Sequence, residues 1–148
     1  MRRKNMKKRN RVKWGIISVC AIFVAALGIV PAAMPADVPR ISIQELKALI
    51  NKGSPITIVD VQPKDIYASG HIKGAISLPY NSQLELEDVI ALTEDQLTVV
   101  YCDCGPGEAD SSDMAAQLVV FGYEKAKVLK DPSIRGWRAA GYPMEKSK

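Results

Sequence analysis

The chain has 148 residues, 47% of them hydrophobic and 24% charged, the proportions of one ordinary globular domain. A disordered, collagen-like or disulfide-scaffold chain is thereby excluded. Twenty Lys and Arg face sixteen Asp and Glu, but eight of the bases (Arg2, Arg3, Lys4, Lys7, Lys8, Arg9, Arg11 and Lys13) fall in the first thirteen residues, with no acid among them. The remaining twelve bases and sixteen acids leave the rest of the chain at −4. The basic balance therefore belongs to a tail, and no nucleic-acid partner is expected.

An uncharged stretch follows, residues 14–36, with an apolar centre from Ile16 onward. As a helix it would span about 34 Å, enough for the hydrocarbon core of a bilayer. A basic front, an apolar middle and small residues behind (Ala32, Ala33, Ala36) also describe a secretory signal peptide. On either reading, residues 1–36 hold one apolar helix, the positive end stays cytoplasmic, and residues 37–148 form a domain on the extracytoplasmic side. Its partner there is the membrane itself, unless the signal is cleaved and the domain secreted. Val30-Pro31-Ala32 and Met34-Pro35-Ala36 are poor cleavage sequences, which favours the anchor. Cys20, behind Val19, reads as an apolar filler.

Asp37-Val38-Pro39 reads as a short extended linker, because the residue before a proline is pushed away from helix. Ser42 predicts a helix N-cap, with Glu45 three residues on and Ile43, Leu46, Leu49 and Ile50 at helical spacing as far as Gly53. Residues 55–59 form a β-rich run expected to be buried on both faces. A weaker amphipathic helix is predicted over 83–92, and a second buried strand over Leu97–Tyr101. Ser111 or Ser112 is expected to cap a third helix that reaches Val120 and ends at Gly122. Ala126–Leu129 predicts a short strand and 134–140 a last helix. Strands alternating with helices require crossovers, hence an α/β fold with a mostly parallel sheet. In such sheets a ligand sits beyond the carboxyl ends of the strands.

Cys102 directly follows the strand Leu97–Tyr101, and a helix follows the loop behind it. Amide donors and the partial positive charge of a helix N-terminus both stabilise a thiolate, and curled loop amides make an anion-binding nest. A small apolar residue at a strand end is the plain alternative.

The run Asp60-Val61-Gln62-Pro63-Lys64-Asp65-Ile66-Tyr67-Ala68-Ser69-Gly70-His71-Ile72-Lys73-Gly74-Ala75-Ile76-Ser77-Leu78-Pro79 resembles the front signature of rhodanese-like domains. Val99-Val100-Tyr101-Cys102 is similar to the strand that delivers that family's catalytic cysteine. Gly136-Trp137 and Ala140-Gly141-Tyr142-Pro143 resemble its closing signature. The resemblance implies a parallel five-stranded sheet wrapped by helices and a sulfur-transfer chemistry that needs no cofactor. A thiolate takes sulfane sulfur from a small donor such as thiosulfate, holds it as a persulfide, and passes it to a thiol or cyanide-like acceptor. By position Cys102 would be that nucleophile. The loop of Asp103, Cys104, Gly105, Gly107, Glu108, Ala109 and Asp110 would hold the persulfide through its amides. His71 is implied to be structural, Asp60 to anchor its own loop, and Trp137 to pack the last helix.

Departures from the family pattern concentrate at this loop. Asp103, Glu108, Asp110 and Asp113 stand there without a base, and no Lys or Arg occurs between Lys73 and Lys125. An acid about 5 Å from a thiolate costs roughly 0.8–3 kcal/mol, against about 0.3–1 kcal/mol gained from a helix terminus. If the acids face the sulfur, a dianionic donor is repelled. Gln62 replaces the family's front arginine, and Asp131-Pro132-Ser133 replaces a Gly-Gly pair. The loop itself is similar to a branch of rhodanese-like proteins with a Cys-x-Cys-Pro-x-Glu-x-x-Ser loop, Gly105 being extra.

Cys104 opens other chemistry. On an oxidising side it could pair with Cys102, or resolve a persulfide or sulfenate there. A metal held by both thiolates with Glu108, Asp110 or His71 lacks a second close cysteine or histidine pair, so no metal is expected. A sulfurtransferase is thus the leading expectation. Behind it stand a non-catalytic partner-binding domain and a thiol–disulfide oxidoreductase using Cys102 and Cys104. A phosphatase or arsenate reductase would need a cation in the loop.

Overall fold

Successive side chains of a strand point to opposite faces, so a strand buried on both faces must be apolar throughout. Ile58-Val59, Val99-Val100 and Val128-Leu129 follow that pattern. Val59, Val100 and Val128 enter one apolar cluster, while Ile58, Val99 and Leu129 enter another. In the computed structural model, which describes residues 37–147, these residues lie in the middle of one sheet. The elements in chain order are β1 (Arg40–Ile41), α1 (Ile43–Asn51), β2 (Ile56–Asp60), α2 (Lys64–Ser69), β3 (His71–Ile72), β4 (Ile76–Ser77), α3 (Leu86–Val89), β5 (Leu97–Tyr101), α4 (Ala109–Val120), β6 (Ala126–Leu129), α5 (Ser133–Ala139) and β7 (Met144–Glu145). The sheet runs β1-β6-β5-β2-β4 with every pair parallel. Strands β3 and β7 form a separate antiparallel ribbon. This is the α/β architecture expected from the alternation.

One face of the sheet is covered by Val89 of α3 and Met114, Ala115 and Leu118 of α4. The other is covered by Leu46 of α1 with Ile134 and Trp137 of α5. Each such aliphatic side chain, fully buried, contributes roughly 1.5–3 kcal/mol. Helix α1 starts where its capping box places it. The Ser42 hydroxyl accepts from the Glu45 N–H at 3.2 Å, and the Glu45 carboxylate accepts from the Ser42 N–H at 2.8 Å.

Three local expectations are corrected. The helix predicted over 83–92 contracts to the single turn of α3, because Leu86 and Ile90 face solvent (60% and 73% exposed) and only Leu84, Val89 and Leu92 reach the core. Helix α4 is capped by neither serine. It begins at Ala109 behind Glu108, and Ser111 lies in its first turn. The run 37–39 is extended but no free linker: Val38 is buried, and the Pro39 carbonyl accepts from the Val128 N–H at 2.9 Å. The apolar helix expected within 1–36, its orientation and its cleavage lie outside the described residues. Among the described residues no helix is long and apolar enough to cross a membrane.

Candidate active site

The strand order decides where a ligand can enter. From β2 the chain runs outward to β4 at one edge. From β5, beside β2 and in the middle of the sheet, it runs the other way to β6. The loops after β2 and β5 therefore part from each other, which opens a crevice at the carboxyl ends of these strands. An open cleft of about 480 Å³ lies there. It is lined by Val61, Gln62, Pro63 and Ile66 from the first loop and by Cys102, Asp103, Cys104 and Asp110 from the second, with Pro79 and Tyr80 at its side.

Cys102 is 3% exposed, so the cleft reaches a sulfur that solvent barely touches. The Cys104 N–H points at its Sγ from 3.3 Å. The Ser111 hydroxyl, itself wholly buried, lies 3.4 Å from that sulfur and 3.2 Å from the Glu108 carbonyl oxygen. In a reduced Cys102 the Cys104 N–H and the first turn of α4 would stabilise negative charge on the sulfur, while the Ser111 proton goes to the Glu108 carbonyl. Of the expected loop cradle, the Cys104 amide is the one bonded to the sulfur, while the Glu108 N–H closes a turn on the Gly105 carbonyl. The Cys102 and Cys104 sulfurs are joined as a disulfide, with a Cα–Cα separation of 5.5 Å. Thiol pairing, one of the alternatives open at the sequence level, is thus the arrangement of this structure.

The expectation that the loop acids lack a balancing base is corrected, because bases arrive from distant elements. Arg135 of α5 holds Asp103 by Nε at 2.7 Å. Glu108, buried, accepts from Arg40 Nε of β1 at 3.0 Å and from the Asp131 N–H at 2.7 Å. Hydrogen bonds to Glu108 and then Asp37 hold the Arg40 guanidinium above its ordinary pKa. Both carboxylates are thus paired with cations, Glu108 away from the cleft and Asp103 still on its wall. Asp110 remains at the cleft. Asp113 lies beside Tyr80 and, with smaller contributions from desolvation and Asp110, pushes the Tyr80 phenol up.

Glu108 adopts a left-handed backbone (φ 45°), directly behind Gly107 at φ 92°. A non-glycine residue in that region costs about 1–2 kcal/mol. The two side-chain bonds of Glu108 offset this and hold the end of the cysteine loop in place.

Asp60 stands at the end of β2 with no exposure and three donors. The Gln62 N–H gives one at 2.9 Å, the Gln62 side-chain amide reaches both carboxylate oxygens at 3.1 Å, and the Tyr101 hydroxyl donates at 2.6 Å. A neutral amide thus serves at the position where the family pattern has arginine. The Tyr101 oxygen also accepts from the Ile72 N–H at 3.1 Å. Burial, then Asp60, pushes the Tyr101 phenol far up, so it stays protonated and keeps donating. This brace ties the ends of β2 and β5 together beside Cys102.

His71 is not at the cleft. Its ring stacks on Tyr67 at 3.8 Å, with Nδ1 2.8 Å from the Tyr67 carbonyl and Nε2 3.2 Å from Glu145, the structural role expected of it. Among the described residues no group of three His, Cys, Asp or Glu is arranged to hold a metal ion. Two residues of the site escaped sequence reasoning, Arg40 and Arg135, which no local signal connects with Cys102; Ser111 is legible as a cap and as the serine of the Cys-x-Cys loop pattern.

The model of the rhodanese-like domain matches residues 42–140. The chain belongs to that family. A helix-turn-helix-type transcriptional regulator of Mycobacterium tuberculosis is 36% identical over 93 residues, which are 61% of this chain and 38% of that protein. The uncharacterised protein YibN of Escherichia coli is 28% identical over 132 residues, 89% of this chain and 90% of that one. The crystal structure of a thiosulfate sulfurtransferase from Pseudomonas aeruginosa superimposes with a TM-score of 0.59 at 24% identity, covering 75% of this chain and 21% of that chain. This rhodanese-like domain thus has a sulfurtransferase among its structural neighbours.

Proposed function

We propose that this protein is a sulfurtransferase in which Cys102 carries sulfane sulfur as a persulfide. The observation that carries the reading is the placement of the Cys102 sulfur. It lies at the end of the middle strand, on a cleft at the point where the chain reverses direction across the sheet, with the Cys104 N–H and the Ser111 hydroxyl beside it. In the reduced protein the Cys102 thiolate attacks the outer sulfur of a small donor, thiosulfate for instance. The donor's S–S bond breaks, sulfite leaves, and Cys102 holds the transferred sulfur. A thiol or cyanide-like acceptor then attacks that outer sulfur and restores the Cys102 thiolate. The loop is of the Cys-x-Cys type, and of its residues Asp103, Cys104 and Asp110 line the cleft that receives the carried sulfur. Residues 1–36 act as an anchor or signal that places this chemistry on the extracytoplasmic side of a membrane, a reading supported by the confinement of the basic cluster to one side of the apolar stretch.

The test is intact mass after reduction and exposure to donor. Cys104→Ala, which takes the second thiol out of the reaction, gains one sulfur atom that cyanide removes as thiocyanate, and Cys102→Ser gains none. Equal loading of the two proteins overturns the assignment. The joined sulfurs favour thiol–disulfide exchange as a second reading. In that case a disulfide substrate oxidises the reduced pair, and no sulfur is gained from thiosulfate.

A further inference from the structure

Carrier chemistry at Cys102 leaves Cys104 without a part, although the Cys104 sulfur is the one that meets the Cys102 sulfur. The two differ in access: Cys102 is buried, Cys104 exposed. Their Cα atoms are 5.5 Å apart, inside the usual range of about 4.4–6.8 Å for a bridge. Asp103 between them is held by Arg135 at 2.7 Å, which steadies the short span that brings the thiols together.

We infer that Cys104 is the nucleophile of a second half-reaction, in which the sulfur carried by Cys102 leaves as sulfide. The inference rests on Cys102 being the carrier. The Cys104 thiolate, its proton lost to solvent, attacks Cys102 Sγ of the persulfide Cys102–S–SH. The bond between the two cysteine sulfurs forms, the bond from Cys102 Sγ to the carried sulfur breaks, and hydrosulfide departs with the proton it held. The carried sulfur gains two electrons, and the two cysteines lose them in becoming a disulfide. No outside oxidant enters.

Resetting requires a reductant of the dithiol class. Its thiolate attacks the exposed Cys104 Sγ, and Cys102 leaves as a thiolate beneath the Cys104 N–H and the Ser111 hydroxyl. A stabilised thiolate is the faster leaving group, so both access and leaving-group stability direct the attack to Cys104. The second thiol of the reductant then frees Cys104. The overall reaction delivers sulfane sulfur as free sulfide at the expense of a dithiol.

The experiment uses the full chain, reduced, freed of reductant and given stoichiometric thiosulfate with no acceptor. Sulfite reports loading and sulfide reports the second half-reaction. In wild type, sulfite and sulfide are expected in equal amounts, with the chain two hydrogen atoms lighter and peptide mapping placing the new bond between Cys102 and Cys104. Cys104→Ser should release sulfite without sulfide and keep the extra sulfur until a thiol is added, and Cys104→Ala should do the same. Should these variants fail to fold, the wild-type products decide alone. Wild type that releases sulfite, retains the extra sulfur and yields no sulfide overturns the inference and leaves the carrier reading standing. A new disulfide that uses Cys20 also overturns it. Absence of sulfite from wild type withdraws both readings.

Discussion

Glu108 accepts from Arg40 Nε at 3.0 Å, so the last residue of the cysteine loop is fastened to the first strand of the sheet across sixty-eight positions of sequence. The same carboxylate receives the Asp131 N–H at 2.7 Å. One acid thereby binds three separate segments and fixes where α4 begins. Its charge is spent on holding the loop rather than on the cleft.

Removing that carboxylate should loosen the loop. Glu108→Ala strands the Asp131 N–H and takes from Arg40 its Nε partner, leaving it Asp37 and the Val38 carbonyl, which is expected to cost about 1–3 kcal/mol. Glu108→Gln should cost less, because its amide oxygen still accepts. Urea unfolding midpoints of the three proteins measure this, and an unchanged midpoint in Glu108→Ala would show that the latch is dispensable.

Charge at the cleft should reside mainly in Asp110, since Asp103 and Glu108 are paired with arginines. Asp110→Asn is expected to speed loading from dianionic thiosulfate about two- to fivefold, the equivalent of roughly 0.5–1 kcal/mol, and to weaken its salt dependence. Glu108→Gln should bring no such gain. Arg135→Gln unmasks Asp103, so loading should slow and respond more strongly to salt, the Debye length being about 10 Å at 0.1 M. Sulfite release at two ionic strengths decides, and identical salt responses in all four proteins would refute this account.

The Tyr101 hydroxyl donates to Asp60 and receives the Ile72 N–H within the core. Tyr101→Phe leaves both without it, a loss of about 1–3 kcal/mol. The phenol's pKa is raised in the folded state, chiefly by burial. Its contribution is therefore fully present below the ordinary tyrosine value of about 10 and is lost as the pH rises beyond it. Urea midpoints at about pH 8 and about pH 11 should converge between wild type and Tyr101→Phe at the higher value. A constant difference would contradict the linkage.

The proposed topology has its own test. If residues 1–36 anchor the chain as proposed, protease added outside intact cells or spheroplasts should digest residues 37–148, since bases before an apolar span favour the cytoplasmic side. Protection until lysis would place the domain inside.

The elements legible in the sequence are those whose cause is local. The unbroken β-branched run Ile56-Thr57-Ile58-Val59 marks β2 as doubly buried, and a hydroxyl with an acid three residues on marks the start of α1. Cys102 is legible too, because its place follows from the end of one strand. Strand order is not local: nothing within Leu97–Tyr101 says that β6 and β2 flank it, yet that order puts Cys102 on the cleft. The cations of the loop are hidden for the same reason. Arg40 and Arg135 reach Glu108 and Asp103 only once β1 and α5 pack beside the cysteine loop, so a charge count along the chain reads the loop as more repulsive than it is. Gly136 stands in the closing signature without a visible cause in sequence. In the fold, a Cβ there would lie 2.5 Å from Pro132 Cγ. Sequence alone determined the family, the three central strands and the place of Cys102 at a strand end, because backbone propensity and burial pattern act over a few residues. The tertiary structure decided which charges the cysteine loop meets, because those contacts join segments that the chain separates.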